Sequence, residues 1–267
     1  GDKRLTVGGI KRYMDGALGA RGAWLLKPYS DLPSEQGLNT IDLNTFKQSA
    51  QLAIENQLQL CTHAIGDKAN RVTLDIYENV FQHHPQKTDL RWRIEHAQHL
   101  HADDIPRFAE LGVTAAMQSI HCTSDAPWVY KRLGEDRAAD GAYVWQKLRR
   151  SGALICNGTD APVEPVNPID NFYAAVTRKP KDMQPFFPDQ ALTRMEALRT
   201  YTINGAKAVF EEDIKGSITP GKLADLTVLS KDILTIPAED VRNTKVEMTI
   251  LGGQIVFDSG RLTAGVK

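Results

Sequence analysis

Short apolar or β-branched runs alternate with longer stretches of helical periodicity through most of the chain, the pattern of repeated βα units around a parallel sheet. Five such units are legible. The first strand is expected at about 9 to 14, followed by an irregular Gly-, Pro- and Ser-containing stretch to Thr40. A helix then opens near Asp42, a suitable N-cap, with Phe46, Ala50, Ala53 and Ile54 on one face. LQLCTH (58 to 63) reads as the second strand, and its helix follows from Asp67 to about Gln82 with Val72, Ile76 and Val80 apolar. LRWRIEHA (90 to 97) is the third strand, with a helix from about Asp103 to Leu111. VTAAMQ (113 to 118) is the fourth, followed by a helix around Trp128 and another from Ala138 to Arg150. ALICNG (153 to 158) is the fifth. Beyond it, Asn167 and Pro168 form an N-cap with proline at the first helical position, and Thr193 to Glu196 is a capping-box pattern opening a helix to about Val209.

The texture changes near Glu211. From there KGSITPGKLADLTVLS, VEMTILGG and QIVFDSG read as short strands between Gly and Pro turns. They leave no room for crossover helices, so they are expected to pair antiparallel as a small separate β module. The expected division is 1–210 for the βα part and 211–267 for the β part. Five βα units are three short of a closed eight-stranded barrel, and an open doubly wound sheet is the other way to cover both faces of a parallel sheet. Neither GxGxxG nor GxxxxGK[ST] occurs, which removes support for the nucleotide-binding open sheets. The expectation is an α/β fold made of a portion of a (β/α)8 barrel plus part of a β-sandwich. On that reading the missing strands come from a preceding segment or a second chain.

Composition narrows the setting rather than the chemistry. At 267 residues, 42% hydrophobic and 24% charged, the chain is in the ordinary globular range. Its 32 basic and 33 acidic residues give a net charge of −1, so there is no global field for nucleic acid or an anionic membrane. No apolar run approaches the roughly 20 residues of a membrane span, and a cytoplasmic location is expected. The three cysteines, Cys61, Cys122 and Cys156, are too scattered for a disulfide framework and read as packing residues.

In parallel α/β architectures the residues after the strand C-termini converge on one rim, and chemistry gathers there. His63 closes the second strand, His96 closes the third, Asp160 follows the fifth, and Lys11 lies in the first. The histidines are separated by one βαβ step of roughly 30 residues, so side chains distant in sequence can face one another. Each has a structural alternative. A histidine there can be a hydrogen-bonded framework residue, Asp160 an N-cap and Lys11 a solvated edge residue. Together they suit a divalent ion, because imidazole and carboxylate are zinc ligands and hydrolytic sites keep a position for water. Lys11 can join them only with a pKa lowered beside a dication, where the neutral amine reacts with carbon dioxide to give a carbamate. His121, three residues past the fourth strand, either faces the same mouth or lies on a surface loop. His99 and His101 are expected behind the site or exposed, and His83 and His84 end a helix with no site role.

The series IKRYMDGALGARGA, CTHAIGDKAN, RIEHAQ, MQSIHCTSD and NGTDAPVEPVNP, followed by GSITPGKLADLTVLS, resembles the amidohydrolase superfamily. Within it, the chain is similar to the amidohydrolase-3 branch that contains N-substituted formamide deformylases. The resemblance implies a metal-dependent barrel joined to a β-sandwich, with zinc or a similar ion, one or two per site. It implies a carboxylated Lys11 bridging metals, His63 and His96 as ligands, Asp160 as ligand and proton shuttle, and His121 near the substrate. The family's first barrel strand ends in His-x-His, which is absent in that context here. The chain therefore resembles the C-terminal part of a longer enzyme. The implied reaction is hydrolysis of a non-peptide C–N bond, in an amide or N-substituted formamide, by water activated on the metal. A homo-oligomer is compatible with this reading. Two other readings stay open: an inactive barrel fragment or scaffold, and a barrel isomerase or decarboxylase using the same rim.

Overall fold

The computed structural model describes residues 5–261. Its centre is a five-stranded parallel sheet, β1 (Gly9–Tyr13), β2 (Gln59–Ala64), β3 (Arg93–His96), β4 (Thr114–Met117) and β5 (Ile155–Asn157), in simple sequential order. Each strand is parallel to the next, with Tyr13 opposite His63 and His63 opposite Glu95. The helices between them are α1 (Leu43–Glu55), α2 (Asp67–His83), α3 (Ile105–Glu110), α4 (Ser119–Leu133), α5 (Glu135–Gly141) and α6 (Trp145–Arg150). After β5 come α7 (Pro168–Thr177), α8 (Arg194–Tyr201) and α9 (Ile203–Ala208). A second sheet of β6 (Leu226–Leu229), β7 (Val246–Leu251) and β8 (Gln254–Asp258) is antiparallel, in the order β6-β7-β8.

Local capping signals account for the starts of three helices. The Asp42 carboxylate accepts from Thr45 N at 2.9 Å and opens α1, whose Phe46, Ala50, Ala53 and Ile54 are buried. Asn167 caps α7 with Pro168 behind it, and Thr193 and Glu196 complete a reciprocal capping box on α8. Helix α2 is tied to the sheet by the fully buried Tyr77. Its hydroxyl lies 2.7 Å from Thr62 Oγ1 and donates towards the carbonyls of Leu60 and Arg93, so one side chain joins β2 to β3. A fully buried phenol without such partners would lose about 1–3 kcal/mol.

The expected helix over 138–150 is broken. Ala142–Val144 leaves the helical path, with Tyr143 at φ 53°. The chain turns there to exchange main-chain bonds with the segment after β3: Leu100 N donates to Gly141 O at 3.0 Å and Tyr143 N to Gln98 O at 2.8 Å. A Cβ at Gly141 would sit 2.1 Å from the Leu100 carbonyl, so only glycine permits this approach. The expected helix to Val209 also breaks, at Thr202. Asn204 Nδ2 donates to Ile155 O at 3.0 Å and draws α9 onto β5. No helix among the described residues is long and apolar enough to cross a membrane.

Candidate metal centre

The strand-end rule places the chemistry at the C-terminal edge of the parallel sheet. His63 is the penultimate residue of β2 and His96 the last of β3, and their rings meet edge to face with centroids 4.4 Å apart. His121 is not on a loop: it occupies the first turn of α4, and its ring lies 5.8 Å from that of His96. Asp160 lies three residues beyond the short β5, in the segment leading to α7, where its Oδ2 is 3.4 Å from His121 Nε2. One ligand atom from each of His96, His121 and Asp160 falls within 4.8 Å of the others. Four of the five expected site residues thus gather, His63 through its contact with His96.

Lys11 stands apart in character. It is exposed on β1, opposite Cys61 and one same-face pair before His63, with Nζ 5.0 Å from the centre of the Tyr13 ring. An open cavity of about 1050 Å³ borders Lys11, Cys61, Arg93 and Glu95.

Burial and hydrogen bonding prepare the imidazoles as neutral donors of a lone pair. Burial pushes His63 down to about 3, helped by the neighbouring His96 and Lys11. Burial likewise pushes His96 down to about 4, against the pull of Asp160. His96 Nδ1 lies 2.7 Å from Gln118 Oε1, and Gln118 spends its own N–H on Ala116 O at 3.2 Å. The amide oxygen therefore faces the ring, Nδ1 carries the proton, and Nε2 is left with its lone pair. His63 Nε2 is buried without a hydrogen-bond partner. A buried imidazole nitrogen in that state, beside a second imidazole and a carboxylate, fits a divalent ion.

Three groups missing from the sequence reading hold the arrangement. Asp15, 2% exposed, sits two residues past β1. It accepts from Ile65 N at 3.0 Å and from Gly66 N and Trp24 N at 2.8 Å each, with Oδ1 3.5 Å from His63 Nε2. Burial pushes its carboxyl up to about 7, against those three N–H groups. Gly66 lets the loops close around it, since a Cβ there would lie 2.0 Å from Trp24 O. Asn171 on α7, fully buried, accepts from Ile120 N at 2.6 Å and donates to Gly158 O, fastening the start of α4 to the segment carrying Asp160. Asn157 adds a second tie, accepting from Ser119 N at 3.0 Å. His96 and Asp160 both have left-handed backbone, φ 78° and 58°, a conformation that costs a non-glycine residue of order 1–3 kcal/mol and persists where surroundings enforce it.

The remaining histidines divide. His99 is buried against Tyr143 and pushed down to about 3 by burial, whereas His101 caps the turn after β3 by accepting from Asp103 N. His83 and His84 close α2 through contacts to the carbonyls of Asn79 and Val80. Strand position alone would have nominated Asp15 and Gln118, because both sit at a strand C-terminus. Nothing in the sequence marks Asn171, whose role depends on which two segments meet.

A parallel α/β sheet whose C-terminal edge gathers imidazoles and a carboxylate into one cluster defines the class, an α/β protein with side chains suited to metal ligation on that rim. The chain belongs to the amidohydrolase family, whose model matches residues 1–257. It is 37% identical over 254 residues to the Protein LONG AFTER FAR-RED 3 of Arabidopsis thaliana, covering 95% of this chain and 43% of that protein. It is 36% identical over 257 residues to the putative amidohydrolase YtcJ of Bacillus subtilis, covering 95% of this chain and 48% of the relative. The N-substituted formamide deformylase of Arthrobacter pascens is 28% identical over 201 residues, 75% of this chain and 37% of that one. Among solved structures, an uncharacterized metal-dependent hydrolase from Pyrococcus horikoshii superposes with a TM-score of 0.79 at 35% identity, covering 88% of this chain and 47% of that one. The chain thus spans less than half the length of each of these relatives.

Proposed function

We propose that the chain is the C-terminal portion of a metal-dependent (β/α)8 hydrolase, residues 1–210 contributing barrel and 211–267 contributing sandwich, that cleaves a non-peptide C–N bond. The carrying observation is the convergence of His96, His121 and Asp160 within 4.8 Å, with His63 packed on His96. Family membership and the metal-dependent hydrolase from Pyrococcus horikoshii support the reading. The formamide deformylase relative supports an amide or N-substituted formamide as the substrate class.

His63, His96 and Asp160 would hold the ion, zinc being the best match to an imidazole and carboxylate set, with a carboxylated Lys11 as the group shared with a second ion. When bound, a divalent ion lowers the pKa of water to about 7 and polarises a carbonyl. Asp160 accepts the proton of the attacking water and returns it to the leaving nitrogen, acting as general base and then general acid. His121 faces the substrate side and donates a hydrogen bond to the carbonyl oxygen as negative charge develops there. A second role for His121, as a ligand itself, is favoured by its place in the three-residue cluster. The remainder of the barrel comes from a preceding segment or a second chain.

The test is Asp160→Asn in the active protein, assayed on N-acyl and N-formyl amines. The variant keeps its fold and loses at least about 10²-fold in kcat, the scale of general acid–base catalysis. Equal turnover in variant and parent would remove Asp160 from the reaction. Failure of the parent to release amine from any such compound would favour a barrel isomerase or decarboxylase.

A further inference from the structure

One segment grips His121 at both ring nitrogens. Asp160 and Glu164 belong to the same stretch between β5 and α7: Asp160 Oδ2 lies 3.4 Å from Nε2, and Glu164 Oε1 lies 3.4 Å from Nδ1. Ser124, three residues beyond His121 on α4, donates to the same Glu164 oxygen at 2.6 Å. The imidazole is 11% exposed and the Glu164 side chain 17%, so the contact is partly withdrawn from water. Tyr143 donates to the main-chain carbonyl of His121 and leaves the ring untouched. Glu164 is therefore the acceptor recorded at Nδ1 among the described residues. An ionised carboxylate accepts only, so a ring nitrogen hydrogen-bonded to it carries a proton. Of the two carboxylates at equal distance, Glu164 is the less exposed, 17% against 37% for Asp160, and the one held by Ser124, which favours Nδ1.

We propose that Glu164 is a positioning residue that fixes the protonated Nδ1 and the ring orientation of His121, so that Nε2 is the atom turned toward Asp160 and His96. Ser124 holds Glu164 in place for that purpose. The consequence for reaction rests on the metal-centre reading above, but the proton position does not. The two readings of His121 part here: as a ligand it needs the Nε2 lone pair facing the cluster, which a proton held on Nδ1 by an outer carboxylate provides, whereas as a hydrogen-bond donor it would need a second proton, on Nε2. The chain thereby supplies two carboxylates with separate duties from one loop: Asp160 works at the reaction centre, and Glu164 works through His121.

The experiment reads the ring nitrogens directly. The full chain is labelled with ¹⁵N-histidine and ring shifts and couplings are recorded at about pH 8, above the ordinary imidazole range. The His121 signals are assigned by their loss in His121→Asn. The parent should show a protonated Nδ1. In Glu164→Ala the proton moves to Nε2, where Asp160 is the remaining acceptor, while Glu164→Gln, which keeps an amide oxygen at the same place, retains it on Nδ1. A Zn²⁺ titration of the same proteins should weaken about 10–100-fold in Glu164→Ala and only a few-fold in Glu164→Gln. An unprotonated Nδ1 in the parent, or a proton that stays on Nδ1 in Glu164→Ala, would overturn the proposal. A parent that binds no Zn²⁺ would instead defeat the metal-centre reading, with the proton position still deciding the role of Glu164.

Discussion

Two parts of the parallel sheet carry expected metal-site residues under opposite conditions. Around His63, His96, His121 and Asp160, polar groups join neighbouring segments even though Asp160 itself is exposed: the buried Asp15 ties the loops after β1 and β2, the half-buried Gln118 orients His96, and the buried Asn171 fastens α4 to the loop after β5. On β1, Lys11 and Tyr13 are exposed, and no side-chain hydrogen bond fixes the ammonium group among the described residues. The difference teaches that this chain pre-shapes the imidazole and carboxylate part of the site.

The comparison breaks first at Asp15. Replacing it with alanine leaves the backbone N–H groups of Ile65, Gly66 and Trp24 without their acceptor, the first two buried, at about 1–3 kcal/mol for each buried group. Asp15→Ala should therefore lose about 3–5 kcal/mol in urea unfolding. A loss under about 1 kcal/mol would mean that the two loops close by themselves.

Acidification is the next strongest lever. His63 and His99 are pushed down to about 3 and His96 to about 4 by burial, whereas imidazoles in the unfolded chain titrate near 6.5. Between those limits the unfolded state binds more protons, so stability falls as pH is lowered from about 7 to about 5. Asp15, raised to about 7, acts with the opposite sign over the same window, one group against three. Urea midpoints of the chelator-treated chain should drop on acidification; a rise would show that the imidazoles are not buried neutral.

The smallest effect belongs to the exposed side. Lys11→Ala should change the unfolding free energy in urea by no more than about 0.5 kcal/mol, as surface substitutions do. A loss beyond about 1.5 kcal/mol would place Lys11 in the same braced unit as His63 and erase the contrast.

What the sequence disclosed follows the range of the forces involved. Asp42, Asn167 with Pro168, and Thr193 with Glu196 act within one helical turn, and each starts its helix where expected. His63 and His96 were recognisable because a strand end is a local pattern and the βαβ step sets which ends are neighbours. The break at Ala142–Val144 was hidden because it arises from main-chain pairing with Gln98 and Leu100, more than forty positions earlier. Asn171 and Glu164 were hidden for the same reason, since a polar residue between helix and loop has no local mark of the segments it will join. The left-handed backbone at His96 and Asp160 likewise has no local mark, although both residue types are among the non-glycine residues that adopt it most readily.

The most direct measurement is a Co²⁺ titration of the chain followed by X-ray absorption at the metal edge. The account predicts stoichiometric binding with nitrogen ligands at about 2.0–2.1 Å. That signal should be lost in His96→Ala and retained in His99→Ala, whose imidazole is also buried but packs against Tyr143. Absence of stoichiometric binding, or equal loss in the two variants, would contradict the claim that these strand ends form a metal centre.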